Sequence, residues 1–167
     1  MILTLLFGLV AATASPSDTS AVYEAILREI RGENPGSPIV LATARSAVEC
    51  MPLCGAFGDE PVSEGAHHPS VLLNSLRETG LVDTTCVVPP RTYGCTGQPN
   101  QVFVALGPIA DDTPEGGARQ EGAVWVRVAI LRRTSRGDSE GYGYRALVAR
   151  ATSCTWRVVR KRPEFVL

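Results

Sequence analysis

The sequence predicts an α+β domain: an antiparallel β-meander of about four strands, with two helices packed on one face. Three observations predict it. Val22, Ala25, Ile26 and Ile30 recur at helical spacing early in the chain. From Gln101 the period of apolar residues falls to two, the repeat of a half-buried strand. Successive alternating runs joined by loops favour antiparallel neighbours, and a one-sided sheet needs helices to cover its apolar face.

The first helix is read over Asp18 to Ile30, with Tyr23 and Leu27 widening its apolar stripe. Asp18 or Ser20 caps its start, and Gly32 follows its end. Asn34-Pro35-Gly36 is a turn, and Ile39 to Thr43 is a short apolar strand candidate. Residues 45–67 read as irregular. Pro69 suits the first position of a second helix that runs to Thr79 and stops at Gly80. Val71, Leu72, Leu73 and Leu76 are its expected buried side. Residues 83–101 read as a second irregular stretch.

Four strands follow. Val102 to Leu106 is the first. Val124, Val126, Val128 and Ile130 alternate with Trp125, Arg127, Ala129 and Leu131, the clearest strand signal in the chain. Tyr144, Ala146 and Val148 form a third alternation, and Thr155 to Arg160 a fourth. Trp125, Tyr142, Tyr144 and Trp156 read as sheet core, because strands favour aromatics that pack on the pleat. No internal repeat and no second domain is evident.

Residues 1–14 carry no charge, and eleven of them are Met, Ile, Leu, Phe, Val or Ala. They end in Ala12-Thr13-Ala14, followed by Ser15-Pro16. This is the apolar core and small-residue cleavage site of a signal peptide, although no basic residue precedes it. The run is too short to span a bilayer, which takes about 20 residues. Cleavage after Ala14 leaves one domain over residues 15–167, secreted or periplasmic, with no membrane span. Fifteen of the sixteen basic residues are Arg, which reads as the codon bias of a GC-rich bacterial genome.

The net charge of −1 conceals an asymmetry. Residues 123–167 carry ten basic residues against three acids, and residues 1–122 carry −8. An anion-binding surface is one reading. A solvated strand face, with the two halves offsetting each other across the fold, is preferred, because the basic residues are spread along strands. No nucleic-acid partner is therefore expected. Partner and oligomeric state are not legible.

An exported chain oxidises its cysteines. Cys86 and Cys95 are the best local pair, closing the loop that contains Pro89-Pro90, and Cys50 and Cys54 come next, leaving Cys154. Five cysteines allow fifteen arrangements with two bridges, and the spacing does not choose among them. Cys50-Met51-Pro52-Leu53-Cys54, with His67 and His68 downstream, also admits a soft metal such as Cu(I), or a redox pair. The C-x-x-x-C spacing resembles copper-delivery thioredoxin-like proteins. His67 and His68 are the only histidines, which excludes a three-His zinc site. Their place before Pro69 suits a solvent-facing helix-capping turn. No cofactor motif and no catalytic signature is present, and Arg136-Gly137-Asp138 reads as a chance tripeptide.

Val22-Tyr23-Glu24-Ala25-Ile26-Leu27, Phe103 to Pro108, Gly141 to Arg150 and Trp156-Arg157-Val158-Val159 resemble motifs of uncharacterised exported bacterial α+β proteins. The closing Trp156 to Val159 also resembles the last strands of NTF2-like folds, which implies a pocket between sheet and helices. The sequence thus favours a non-catalytic binding or structural module stabilised by disulfides. The alternatives are an NTF2-like enzyme or small-ligand carrier, and a thiol-redox or copper-binding protein.

Overall fold

A computed structural model describes residues 16–45, 67–86, 100–110, 122–133, 139–152 and 155–166. The elements in chain order are α1 (Pro16–Glu33), β1 (Ile39–Ala42), α2 (Ser70–Glu78), β2 (Thr84–Cys86), β3 (Val102–Ala110), β4 (Ala123–Arg133), β5 (Ser139–Arg150) and β6 (Trp156–Val166). All six strands form one sheet in the order β2-β1-β3-β4-β5-β6.

This corrects the expected four-stranded antiparallel meander. The sheet is mixed: β1 pairs parallel with both β2 and β3, while β3 to β6 pair antiparallel in sequence order. The physical reason lies in β1. All four of its residues are buried, so it is a central strand with apolar side chains on both faces, and it shows no alternation. A central strand needs a partner along each edge. Residues 43–83, which include α2, return the chain to lay β2 parallel to β1 on one side, and β3 enters parallel on the other.

The main core lies between the helices and one sheet face. Tyr23, Ile26, Leu27 and Ile30 of α1 are buried against Ile39 and Leu41, Val102, Val104 and Leu106, Val126, Val128 and Ile130, and Tyr144. α1 ends where the Asn34 side-chain amide donates to Ile30 O at 2.7 Å, so a buried side chain satisfies a terminal carbonyl. Gly36, at φ +78°, then reverses the chain. α2 buries Leu72 and Leu76, whereas Val71, expected on its inner side, is 78% exposed. The helix turns it outward because Val71 lies one residue, or about 100°, from Leu72.

Charge ties the layers together. Lys161 on β6 reaches Glu29 at 2.8 Å and Glu33 at 2.6 Å, and Arg150 on β5 reaches Asp18 at 2.9 Å. Two basic residues of the C-terminal part are thus matched by acids of the first helix. Arg31 contacts Asp83 at 2.6 Å, and Asp83 also accepts the Ile39 N–H at 2.7 Å, fixing the starts of β1 and β2 beneath α1.

The opposite sheet face carries a smaller cluster of Val40, Ala42, Ala44, Phe103, Ala105, Ala129 and Leu131. Phe165 lies over Gly143, where a side chain would collide with its ring. Tyr144 is buried in the main core, and Tyr142 and Trp156 pack against that core, as the aromatic reading expects. Trp125 sits on the other face, paired with Leu147. Residues 1–14, Arg136 to Asp138, and Cys50, Cys54, Cys95 and Cys154 lie outside the described residues.

Candidate functional site

Two places in the fold bring chemistry together. The first is the carboxyl end of β1. Thr43 N donates to Cys86 O, His68 N donates to Thr43 O at 2.8 Å, and Ala44 pairs with His67 in an isolated antiparallel bridge. This small extension places both histidines, Thr43, Arg45 and Cys86 at the exit of the parallel strands. In open α/β sheets that end commonly holds ligands.

His67 and His68 part ways here. His67 is half-buried, with Nδ1 at 3.3 Å from Thr43 Oγ1. His68 is only 5% exposed, so it is not the solvent-facing capping histidine that its place before Pro69 suggests. Its Nε2 lies 3.0 Å from Leu106 O. A carbonyl only accepts, so Nε2 carries the proton and Nδ1 presents a lone pair. Nδ1 has no partner among the described residues. The Tyr23 ring meets His68 edge-on at 5.3 Å, and the Tyr23 hydroxyl donates to Gly107 O at 2.9 Å.

Burial pushes the His68 pKa down to about 4; the Leu106 carbonyl opposes this, while the positive charges of Arg45 and His67 add to it. The ring is therefore neutral at neutral pH. Burial likewise raises the Tyr23 hydroxyl to about 12 against the opposing pull of Arg45. Among the described residues no carboxylate acts on His68.

The second place is the sheet face away from the helices. Residues directly opposite on neighbouring strands share a face. The β4-β5-β6 register therefore stacks three rows: Ala123, Ala149 and Arg157; Trp125, Leu147 and Arg160; Arg127, Arg145 and Arg162. Strands lie about 4.8 Å apart and rows about 7 Å apart. Five arginines and one tryptophan thus occupy a nine-residue lattice.

Arg157, Arg160 and Arg162 are exposed. Arg127 and Arg145 have side chains 36% and 35% exposed, and both donate to Glu164, Arg127 at 2.9 Å. Like charges directly opposite repel, so the Arg127–Arg145 pair depends on that shared carboxylate. Burial raises the Glu164 pKa, but hydrogen bonds from the two arginines outweigh it and hold the group below its usual range. Glu164 is the one acid beside these rows among the described residues. Val159, 42% exposed, and Val166, 82% exposed, lie on the same edge strand.

An open polar cleft of about 390 Å³ lies between α2 and β2, lined by Asn74, Arg77, Glu78, Val82 and Asp83. Its Asp83 is already engaged by Arg31 and Ile39.

Of the cysteine candidates, Cys86 alone is described, and it is disulfide-bonded. Cys50 and Cys54 lie outside the described residues. Among the described residues no group of three or more His, Cys, Asp or Glu is placed to hold a metal. No helix among them is long and apolar enough to cross a membrane.

Sequence reading missed Arg45 and Tyr23 as companions of His68, since nothing in the spacing brings residues 23, 45 and 68 together. The five-arginine lattice carried a detectable signal: Arg127, Arg145, Arg157 and the Arg160/Arg162 pair fall at strand positions. Only the register shows that they converge. Comparison with protein-family profiles, with curated protein sequences and with solved structures finds no match to this chain.

Proposed function

We propose that the protein is a non-catalytic binding module that docks its arginine face on an anionic membrane surface. The observation that carries this reading is the lattice of five arginines around Trp125 on the sheet face opposite α1 and α2. Guanidinium forks match phosphate oxygens in a bidentate fashion, and they are weakly hydrated, so they suit an interface. Tryptophan favours the boundary between headgroups and acyl chains. Val159, next to Arg160, adds an exposed aliphatic contact on β6, which a phosphate polymer in water would not use.

Each basic residue near an anionic bilayer contributes about 1 kcal/mol, screened by salt beyond a distance of about 10 Å. Export and disulfide bonding belong to the same proposal. A secreted module would meet lipid headgroups from the outside, and its cross-links would hold residues near β2 in an oxidising compartment.

Co-sedimentation with vesicles tests the reading. Full-length protein should pellet with vesicles containing phosphatidylglycerol and remain in solution with pure phosphatidylcholine vesicles. Replacing Arg157 and Arg160 together by Gln should weaken binding about 30-fold, from two such contributions. Both side chains are exposed, so the fold should survive. The substitution also separates this face from apolar residues 1–14. Binding that is indifferent to lipid charge or to these arginines would refute the reading, as would equal affinity for a single-stranded oligothymidylate.

A further inference from the structure

The end of β1 holds a pair of buried polar atoms that the membrane reading leaves unused. His68 Nδ1 and Arg45 Nε are both shielded from solvent, and neither has a hydrogen-bond partner among the described residues. A buried donor or acceptor left unpaired costs roughly 1–3 kcal/mol, and native proteins carry few of them. Here one of each kind sits at the same strand exit. Arg45 follows Ala44, which pairs with His67, and the Arg45 charge acts on both His68 and Tyr23.

The two atoms ask for complementary chemistry. The tautomer fixed by Leu106 makes Nδ1 an acceptor only, and the guanidinium donates only. A neutral ring beside one fixed cation calls for one negative charge. A small hydroxy-carboxylate meets all three conditions: its carboxylate accepts and carries the charge, and its hydroxyl donates. His68 is 5% exposed, so a ligand that reaches Nδ1 must be small.

We propose that the end of β1 is a separate binding seat for a small hydroxy-carboxylate. The carboxylate accepts from Arg45 Nε–H, and the hydroxyl donates to His68 Nδ1. The Tyr23 ring forms one wall by its edge-on contact with His68, and its hydroxyl is already committed to Gly107. The proposal stands independently of the arginine face, because it uses other residues, at the end of β1, which β3 separates from β4-β5-β6.

Glycolate is the probe, with acetate and ethylene glycol as comparisons. Nitrogen NMR of the full chain, labelled at histidine, reports on Nδ1 directly. Glycolate should shift His68 Nδ1 toward the value of a hydrogen-bonded acceptor and leave Nε2 in place. Acetate lacks the hydroxyl and should bind about fivefold more weakly. Ethylene glycol lacks the charge and should not bind. Arg45→Leu should abolish the glycolate shift while the His68 Nε2 signal, bonded to Leu106, reports that the fold persists.

An unmoved Nδ1 at saturating glycolate would overturn the proposal. So would equal response to acetate, or an Arg45→Leu protein that binds glycolate as the native chain does. An atomic-resolution structure in glycolate with a single water on Nδ1 would overturn it too.

Discussion

Acid should destabilise this fold well above the range in which carboxylates protonate, and His68 should be the reason. In the unfolded chain a histidine titrates near 6.5, whereas in the fold burial holds His68 at about 4. Between those values the unfolded state binds the extra proton, so stability rises with pH. The contribution is fully present above the unfolded value and is lost as pH falls toward the folded one. Linkage over that difference gives about 2 kcal/mol lost between roughly pH 7.5 and pH 5, and about 3 kcal/mol by pH 4. His68 is 5% exposed, so solvent screening does not reduce this much.

The assay is urea unfolding at a series of pH values, comparing the native chain with His68→Gln. Glutamine keeps a donor for Leu106 O but does not titrate. The variant should lose most of the slope between about pH 5 and pH 6.5, a window above the carboxylate range. An unchanged slope in His68→Gln would refute the reasoning. So would a His68 proton resonance that titrates near 6.5 in the folded protein.

Three further outcomes follow from the packing. Gly143→Ala puts a methyl group into the Phe165 ring and should cost about 1–3 kcal/mol in chemical denaturation. Adding Phe165→Leu should recover part of that loss; a double variant no better than Gly143→Ala would show the clash is elsewhere. Tyr23→Phe leaves Gly107 O without its donor and should lower stability by about 1–3 kcal/mol, read as a fall in melting temperature. For Asp83, burial raises the pKa, but the Ile39 N–H and Arg31 outweigh it and hold the carboxyl below its usual range. Asp83→Asn should therefore cost about 1 kcal/mol at neutral pH, a value kept small by the half-exposed pair. The difference from the native chain should close as pH falls through the lowered pKa, and a gap independent of pH would argue against the ion pair.

The elements with strong periodicity were legible. Helical spacing in residues 18–30 and 69–79, and alternation in residues 124–131, mark segments that fold as α1, α2 and β4. What failed was the arrangement. β1 was visible as an apolar run, but a strand buried on both faces carries no alternation and so no sign of where it pairs. β2 has three residues, Thr84 to Cys86, too few to show any period. Missing β2 meant missing the crossover, and with it the parallel part of the sheet. The His68 seat was half legible. His67 and His68 stood out by rarity, yet their different fates depend on Leu106, Tyr23 and Arg45, far apart in sequence. The arginine face was legible as charge, but not as a surface, because adjacency across strands is set by register.

The central place of β1 also bears on the order in which the fold can assemble. β3 to β6 join neighbours in sequence through hairpins and can form from local encounters. β1 is synthesised before all of them, yet its contact with β3 pairs Ile39 with Val102, and no shorter route completes that edge. Until residue 102 and beyond are available, Ile39 to Ala42 must remain an apolar segment without its second partner. Closing that long loop is the slow step expected of non-local pairing. The rate of folding should therefore respond to substitutions in β1 and its β3 partner more than to changes in the β5–β6 hairpin. During synthesis, the same four residues would be the part of the chain most in need of shielding.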